Sequence, residues 1–132
     1  MNSPSEDIKD ILESSAVGLG LVFGTDLFVS RMPETPDQCV AVFDTGGEPP
    51  QPSFVYLKPT IQVRIRGAKT GYQTAYTLAE SIRDALHDLT NETWNSTRYV
   101  GIWATSDIFF IGYDENDRPL FSVNFRIHRT ST

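Results

Sequence analysis

The sequence predicts an α+β domain in which an antiparallel or mixed sheet of about six strands packs two helices on one face. Residues 60–66 alternate polar and apolar side chains without a break, which is typical of a half-buried strand. The segment after Gly67 instead repeats apolar residues at steps of three and four, as an amphipathic helix does. With strands predicted on both sides, the order α-β-β-β-loop-β-α-β-β-β favours an α+β architecture.

The first helix is predicted from a start signal and a short apolar edge. Residues 3–6 have the form of a capping box, with proline at the first helical position. Ile8, Ile11 and Leu12 then supply the apolar edge, and glycines at positions 18 and 20 end the helical pattern.

Three strands and one long loop follow in the prediction. Residues 19–23 and 27–30 read as strands joined by a hairpin turn at 24–26, and residues 40–44 read as a third strand. Residues 45–53 contain two glycines and three prolines, which favour turns over regular structure. We therefore predict a long exposed loop over residues 45–58 that is free to reach a neighbouring molecule.

The central strand and helix present matching apolar faces. In the strand, Ile61, Val63 and Ile65 share one side, which places Arg64 and Arg66 on the other. The helix carries its apolar stripe at Ala75, Ala79, Ile82, Leu86 and Leu89. We expect the stripe to bury against the apolar side of the strand.

The last third of the chain reads as strands at residues 99–104, 107–113 and 120–128, after a polar connection at 90–98. In the final strand Phe121, Val123 and Phe125 share one face with Ile127, and polar residues occupy the other. Phe109 and Phe110 are adjacent and must point to opposite faces, so one enters the core and the other needs a second helix, a loop or another protein chain. Core packing alone would also account for both rings.

Composition indicates one globular domain over residues 1–132. The chain has 39% hydrophobic and 21% charged residues, with no apolar run near the length of a membrane span and no secretory signal pattern. We therefore expect a cytosolic protein that does not contact a membrane. The single Cys39 lies in an apolar run and reads as a buried thiol.

No catalytic, cofactor-binding or metal-binding pattern is present in the sequence. The glycines at 18 and 20 lack the third glycine of a dinucleotide-binding loop. His87, with Asp84 and Asp88 nearby, reads as the polar side of a helix. The acidic residues at 114–117 lack the glycine and distal glutamate of a calcium loop. The sequence therefore predicts no enzymatic activity and no cofactor.

Charge is divided unevenly along the chain. The net charge is −6; residues 1–57 hold two bases and nine acids (2 − 9 = −7), and residues 58–132 hold nine bases and eight acids (9 − 8 = +1). An acidic chain without a basic cluster is not suited to wrapping nucleic acid. The division indicates that one part of the molecule faces another, although a solvated acidic half would give the same pattern.

Four segments together resemble a known phage family. They are residues 21–29, 41–47 and 59–67, and the Gly71-Tyr72 pair with the helix that follows. In order and spacing they resemble the minor capsid or tail terminator proteins of long-tailed bacteriophages over roughly residues 8 to 128.

The resemblance implies a structural virion protein of the tail and neck. Similar proteins form a ring, typically of six subunits, at the head-proximal end of the tail tube, where the ring stops tube polymerisation. The implied partners are other copies of the chain, the tail tube protein and a head-completion or neck protein. DNA would pass through the ring without sequence-specific binding. The competing interpretation is a monomeric α+β binding domain of cellular origin, with an enzyme as the third.

A ring built this way needs complementary surfaces, and the charge division predicts which residues meet. We expect Arg64 and Arg66 of one subunit to face the acidic N-terminal helix of the next, and the loop to contact a neighbour or the tube. The predicted helix residues are Glu6, Asp7, Asp10 and Glu13, and the predicted loop residues are Glu48, Pro49 and Pro50.

Overall fold

Seven strands of one curled, mixed sheet and two helices make up the computed structural model, which describes residues 1–50 and 55–131. In chain order the elements are α1 (Pro4–Glu13), β1 (Leu27–Val29), β2 (Cys39–Gly47), β3 (Pro59–Arg66), α2 (Tyr72–Leu86), β4 (Leu89–Trp94), β5 (Thr97–Ala104), β6 (Phe109–Tyr113) and β7 (Pro119–Ser131). The predicted α+β fold class is confirmed.

The long strand β7 organises the sheet. The strand order is β1-β2-β3-β7-β5-β4, and β6 pairs with β7 outside this path. One edge of β7 pairs with β3, and its other edge pairs with β6 near Pro119 and with β5 near Ser131. Among the strand pairs of the described residues, only β1–β2 is parallel.

Both helices pack against the same face of the sheet. Ile61, Val63 and Ile65 of β3 lie opposite Phe125, Val123 and Phe121 of β7, and all six are fully buried. The predicted α2 stripe at Ala75, Ala79, Ile82 and Leu86 is also fully buried. Residues opposite each other on neighbouring strands share a face, so one apolar layer faces both helices.

The start of α1 follows the predicted capping arrangement. Ser3 has an extended backbone, its hydroxyl accepts the Glu6 N–H at 3.4 Å, and Pro4 occupies the first turn. Behind this cap, Ile8, Ile11 and Leu12 are buried in the main core. The cap fixes where the helix begins, and the apolar edge fixes which side meets the sheet.

The predicted strand at 19–23 and its hairpin are wrong. Phe23 makes only an isolated bridge with Leu27, and β1 pairs instead with β2. The backbone here bonds to nearby carboxylates: Asp26 accepts the Val22 N–H at 2.7 Å, and Glu13 accepts the Phe23 N–H at 2.6 Å. Such local bonds offer the backbone an alternative to a strand ladder.

A strand also forms where a polar connection was predicted. Residues 90–98 form most of β4 and the start of β5, joined by a tight turn in which Asn95 and Ser96 have φ of 52° and 63°. Leu89, predicted at the end of the α2 stripe, lies in β4, because α2 ends at Leu86. As an edge strand with one solvated side, β4 carries too few apolar residues to show in the sequence.

The predicted loop begins later than position 45. Residues 45–47 belong to β2, where a bulge follows Asp44. Gly47 has φ of 124°, and a Cβ there would lie 2.4 Å from the Lys58 carbonyl oxygen, so glycine permits the close pairing with β3. Residues 51–54 of the predicted loop lie outside the described residues.

Candidate interaction surfaces

The face of the sheet opposite the helices is open in the described part of the chain, except where residues 31–38 cover the end of β3. Gln62 and Arg64 of β3 lie across from Asn124 and Ser122 of β7, on the side away from the buried layer. Gln62 Nε2 donates to Asn124 Oδ1 at 3.1 Å, and Arg64 Nε donates to Gln62 Oε1 at 2.8 Å. We call this surface the open sheet face.

Two arginines on the open sheet face stack on aromatic rings. The Arg64 guanidinium lies 5.2 Å from the ring centre of Phe43, and that of Arg126 lies 5.7 Å from Trp103. Both arginines are exposed. A guanidinium held on a ring keeps hydrogen-bond donors at its edge, so these side chains are positioned to receive a carboxylate.

The strands of the open sheet face carry exposed arginines, whereas acids of the adjoining loops stand at its edge: Asp107 lines one cavity with Arg64, and Glu34 and Glu115 line another with it. The pairing of β5 with β7 brings Arg98 and Arg126 to the same side as Arg64, and all three are exposed. None of the paired strand residues described on this side is a carboxylate. They are Phe28 of β1, Cys39, Ala41 and Phe43 of β2, the even-numbered residues of β3 and β7, Thr90 and Thr93 of β4, and the residues of β5 and β6 that pair with these.

The opposite side of the molecule is acidic. On α1, Glu6, Asp10 and Glu13 lie at the surface against a single Lys9, which contacts Glu6 at 3.4 Å and Asp10 at 2.8 Å. Partial burial disfavours the charged form of Asp10, but hydrogen bonds from Lys9 and Asn95 lower its pKa overall. Glu6 and Asp10 thus lie at the helix surface beside Lys9, and Glu13 lies there with its carboxylate bonded to the Phe23 N–H.

Asp7, the fourth predicted acid of α1, is not at the surface. It is fully buried, accepts a hydrogen bond from the Tyr99 hydroxyl and another from Asn95 Nδ2 at 2.6 Å, and lies 4.0 Å from Arg129 Nη1. Burial, together with the hydrogen bond to Asp7, raises the pKa of Tyr99. Asp7 therefore fastens α1 to β5 and β7, and it cannot face a neighbouring subunit.

Arg66 is also unavailable, and the prediction that it lies outside the core is wrong. Its side chain points to the expected face but is only 4% exposed. Its guanidinium donates to the carbonyl oxygens of Pro33, Pro36 and Asp37 at 2.5, 2.7 and 2.9 Å. The segment 31–38 folds over the end of β3, so Arg66 holds this segment in place.

The three loop residues that were predicted to bind a partner lie at the surface. Glu48 is exposed, its N–H donates to the Lys58 carbonyl at 3.1 Å, and its carboxylate lies 3.7 Å from Lys58 Nζ. Pro49 and Pro50 are exposed. All three stand at the same end of the β2–β3 pair, and their role in binding remains a prediction.

Sequence reasoning missed Arg98, Arg126 and Trp103 as members of the open sheet face. Arg126 was assigned to the polar side of the last strand, but the sequence does not reveal which strands flank β7. The observed pairing places Arg126 opposite Trp103 and Thr60. Only this register brings the basic and aromatic side chains together.

His128 lies on the open sheet face beside two aromatic rings. Its ring contacts Tyr56 and Trp103 edge-on at 5.6 and 5.0 Å, and its Nδ1 lies 3.1 Å from the Tyr56 hydroxyl. Burial, with the nearby charges of Lys58 and Arg126, lowers its pKa below 6.5, an effect that Glu48 partly opposes.

Because folding lowers the pKa of His128, the unfolded chain binds a proton at this residue more readily than the folded chain. Protonation of His128 therefore destabilises the folded state as pH falls below 6.5. We expect the thermal midpoint to drop more between pH 7.5 and 5.5 in the wild type than in His128→Gln. Thermal unfolding across this range compares the two. Identical pH profiles would show that His128 does not contribute, since carboxylates titrate alike in both proteins.

Neither a metal centre nor a membrane-spanning helix is found in the described residues. No group of three or more His, Cys, Asp or Glu side chains there could hold a metal ion. Neither described helix has the length and apolarity required to cross a bilayer.

We call the surface of α1 that carries Glu6, Asp10 and Glu13 the acidic helix layer. Exposed arginines on one side of the sheet and this layer on the other side are suited to contacts between protein chains. The chain belongs to the family of bacteriophage tail terminator proteins, whose sequence model matches residues 17–131. It is therefore a structural, non-enzymatic component of the phage virion, located in the tail and neck. The cellular binding domain considered as the alternative is not supported.

A solved structure shares the fold. A chain from the virion of a native gene transfer agent particle superposes with a TM-score of 0.73 over 98% of this chain and 96% of that chain, at 16% sequence identity. No curated protein sequence matches the chain.

Proposed function

We propose that this protein forms a ring, of six subunits as is typical in the family it resembles, at the head-proximal end of the tail tube. The ring ends polymerisation of the tube and joins the tail to the head. In this arrangement the open sheet face of each subunit meets the acidic helix layer of the next.

The observation that supports this proposal is the opposite charge of two opposite faces. Arg64, Arg98 and Arg126 lie exposed on the open sheet face, and Glu6 and Glu13 lie at the surface of α1 on the other side of the sheet. Two like faces would repel each other, whereas unlike faces attract. Such a contact is head-to-tail, and it gives a closed ring when the rotation between neighbours divides a full turn.

The remaining partners contact the rim of the ring. We assign the end of the β2–β3 pair, with Glu48, Pro49 and Pro50, to contact with a neighbour or the tail tube protein, and the opposite rim to a head-completion or neck protein. An exposed segment with two consecutive prolines orders at little entropic cost when it docks. DNA passes through the channel without sequence-specific binding.

Two measurements test the proposal. Light scattering at micromolar concentration, with and without tail tube protein, gives the mass of the assembly relative to the 14.8 kDa subunit. Electron microscopy of tubes polymerised with and without the protein gives their length distribution. We expect a ring several times the subunit mass, and tubes that stop growing once the protein is added. A strict monomer in both conditions, with tube lengths unchanged, would contradict the proposal.

A further inference from the structure

Strand β6 has one edge that the described structure leaves unpaired. It pairs with β7 from Phe109 to Tyr113, with a register shift between Phe110 and Gly112, and with no other strand. Its outer edge therefore presents backbone N–H and C=O groups to the surroundings.

The same strand concentrates exposed apolar side chains. Four of its five residues are large hydrophobic side chains at the surface: Phe109, Phe110, Ile111 and Tyr113 are 62%, 37%, 43% and 55% exposed. Beside the strand, Phe109 and Ile111 line a groove of about 600 Å³ that extends onto the open sheet face at Gln62, Arg64 and Asn124. An added strand would thus find both a backbone edge and a pocket for its side chains.

An apolar edge of this kind promotes uncontrolled pairing unless the protein opposes it. Natural edges commonly use charge or proline within the strand, and β6 has neither. Its charges stand at the ends instead: Asp107 precedes the strand and is 76% exposed, although it pairs with Arg83, while Glu115 and Asp117 follow it and are exposed. In antiparallel pairing of two β6 strands, acid would meet acid at both ends, which disfavours a second copy.

The chain's other described edge strands do not suit this edge either. β1 has only three residues and follows Asp26, whereas β6 has five residues. β4 follows Asp88 and carries Glu92, so it would add further acid. The occupant that the charges favour is a segment with basic residues at its ends.

We propose that β6 accepts an extended segment of another virion protein, which adds a strand to the sheet. The segment carries apolar residues at alternate positions, which enter the groove beside Phe109 and Ile111, and Lys or Arg at its ends. This inference depends on the location of the protein in the tail and neck, and it does not depend on ring formation.

A photocrosslinker placed in the strand identifies the occupant. We substitute p-benzoylphenylalanine at Tyr113, which is 55% exposed on the side of β6 away from the open sheet face, and at Val22 as a control, since Val22 is 51% exposed and lies outside the sheet. Virions assembled with each variant are irradiated and the joined peptides sequenced. We expect position 113 to capture a peptide of a different virion protein with alternating apolar residues and basic ends. Capture of another copy of this chain, of a segment without such bases, or of nothing would overturn the proposal.

A second experiment separates this edge from the contacts between subunits. In Y113K, charge replaces an exposed apolar side chain of β6 that contacts Phe110 on the side away from the open sheet face. We expect incorporation into tails to fall about tenfold or more while the mass of the isolated protein's assembly matches wild type. V22K is the control and should incorporate normally. Loss of self-assembly in Y113K would assign the edge to contacts between copies and overturn the proposal. Failure of the wild type to form a ring would contradict the proposed function alone.

Discussion

Replacing Asp7 with alanine should lower the free energy of unfolding by about 3–5 kcal/mol, because it leaves a buried charge without its partner. Arg129 is 7% exposed, and its Nη1 lies 4.0 Å from Asp7 and 2.8 Å from the Asn2 carbonyl, to which it donates. Its Nε has no hydrogen-bond partner in the described structure. The variant would also leave the Tyr99 hydroxyl without its buried acceptor.

Chemical denaturation of three variants separates the lost ion pair from loss of the helix contact. Asp10→Ala removes a carboxylate of the same helix that is 30% exposed, and we expect a change of about 0–1 kcal/mol. Combining Asp7→Ala with Arg129→Met removes both charges and should recover part of the loss, since well-packed apolar side chains can replace a buried pair. Equal losses of unfolding free energy in Asp7→Ala and Asp10→Ala would show that the buried contacts of Asp7 with Tyr99 and Arg129 do not stabilise the packing of α1.

Sequence periodicity predicted which sides of the regular elements are apolar, but not which polar residues are buried. The helical spacing placed Asp7 near a favourable N-terminus, where solvated acids are common. Its burial depends on Tyr99, ninety-two positions later in the chain, and no local pattern records that contact. Arg66 likewise lies on the predicted face, but a loop from positions 31–38 covers it.

The two adjacent phenylalanines show what the alternation of side chains along a strand can and cannot predict. They were predicted to point to opposite faces, and Phe110 indeed contacts Tyr72 of α2 and Phe121 of the core, whereas Phe109 is mostly exposed on the other side. The sequence did not reveal that β6 stands at an edge, because strand order follows from pairing over long distances in the chain.

The distribution of charge over the faces could not be predicted from the sequence either. The sequence suggested an acidic first half and a near-neutral second half, whereas the structure separates charge by face. Arg64, Arg98 and Arg126 come from three strands that are neighbours only in the folded sheet. The proposed contact between subunits therefore depends on the charge of each face and not of each half of the sequence. In this contact Arg126 has the role that was predicted for Arg66.

Reversing charge on the open sheet face should prevent ring assembly while leaving the subunit folded. In R64E/R126E, two exposed arginines become carboxylates opposite the acidic helix layer of the neighbour. Each exposed pair contributes only about 0–1 kcal/mol, so the loss is on the order of 1–2 kcal/mol per contact. The loss repeats at every contact around a ring, and each 1.4 kcal/mol is about tenfold in affinity. Light scattering measures assembly, and circular dichroism checks the fold.

A charge swap tests whether the two faces meet each other. E6K/E13K alone should also assemble poorly, because its helix layer then faces the arginines of the next subunit. Combining all four substitutions restores opposite charges and should recover assembly, whereas the control K69E, in the exposed turn between β3 and α2, should assemble normally. Wild-type rings should also loosen as salt rises to about 1 M, where the screening length falls from roughly 8 Å to about 3 Å. If the combined variant stays monomeric although folded, or the wild type is indifferent to salt, attraction between these two faces does not hold the ring together.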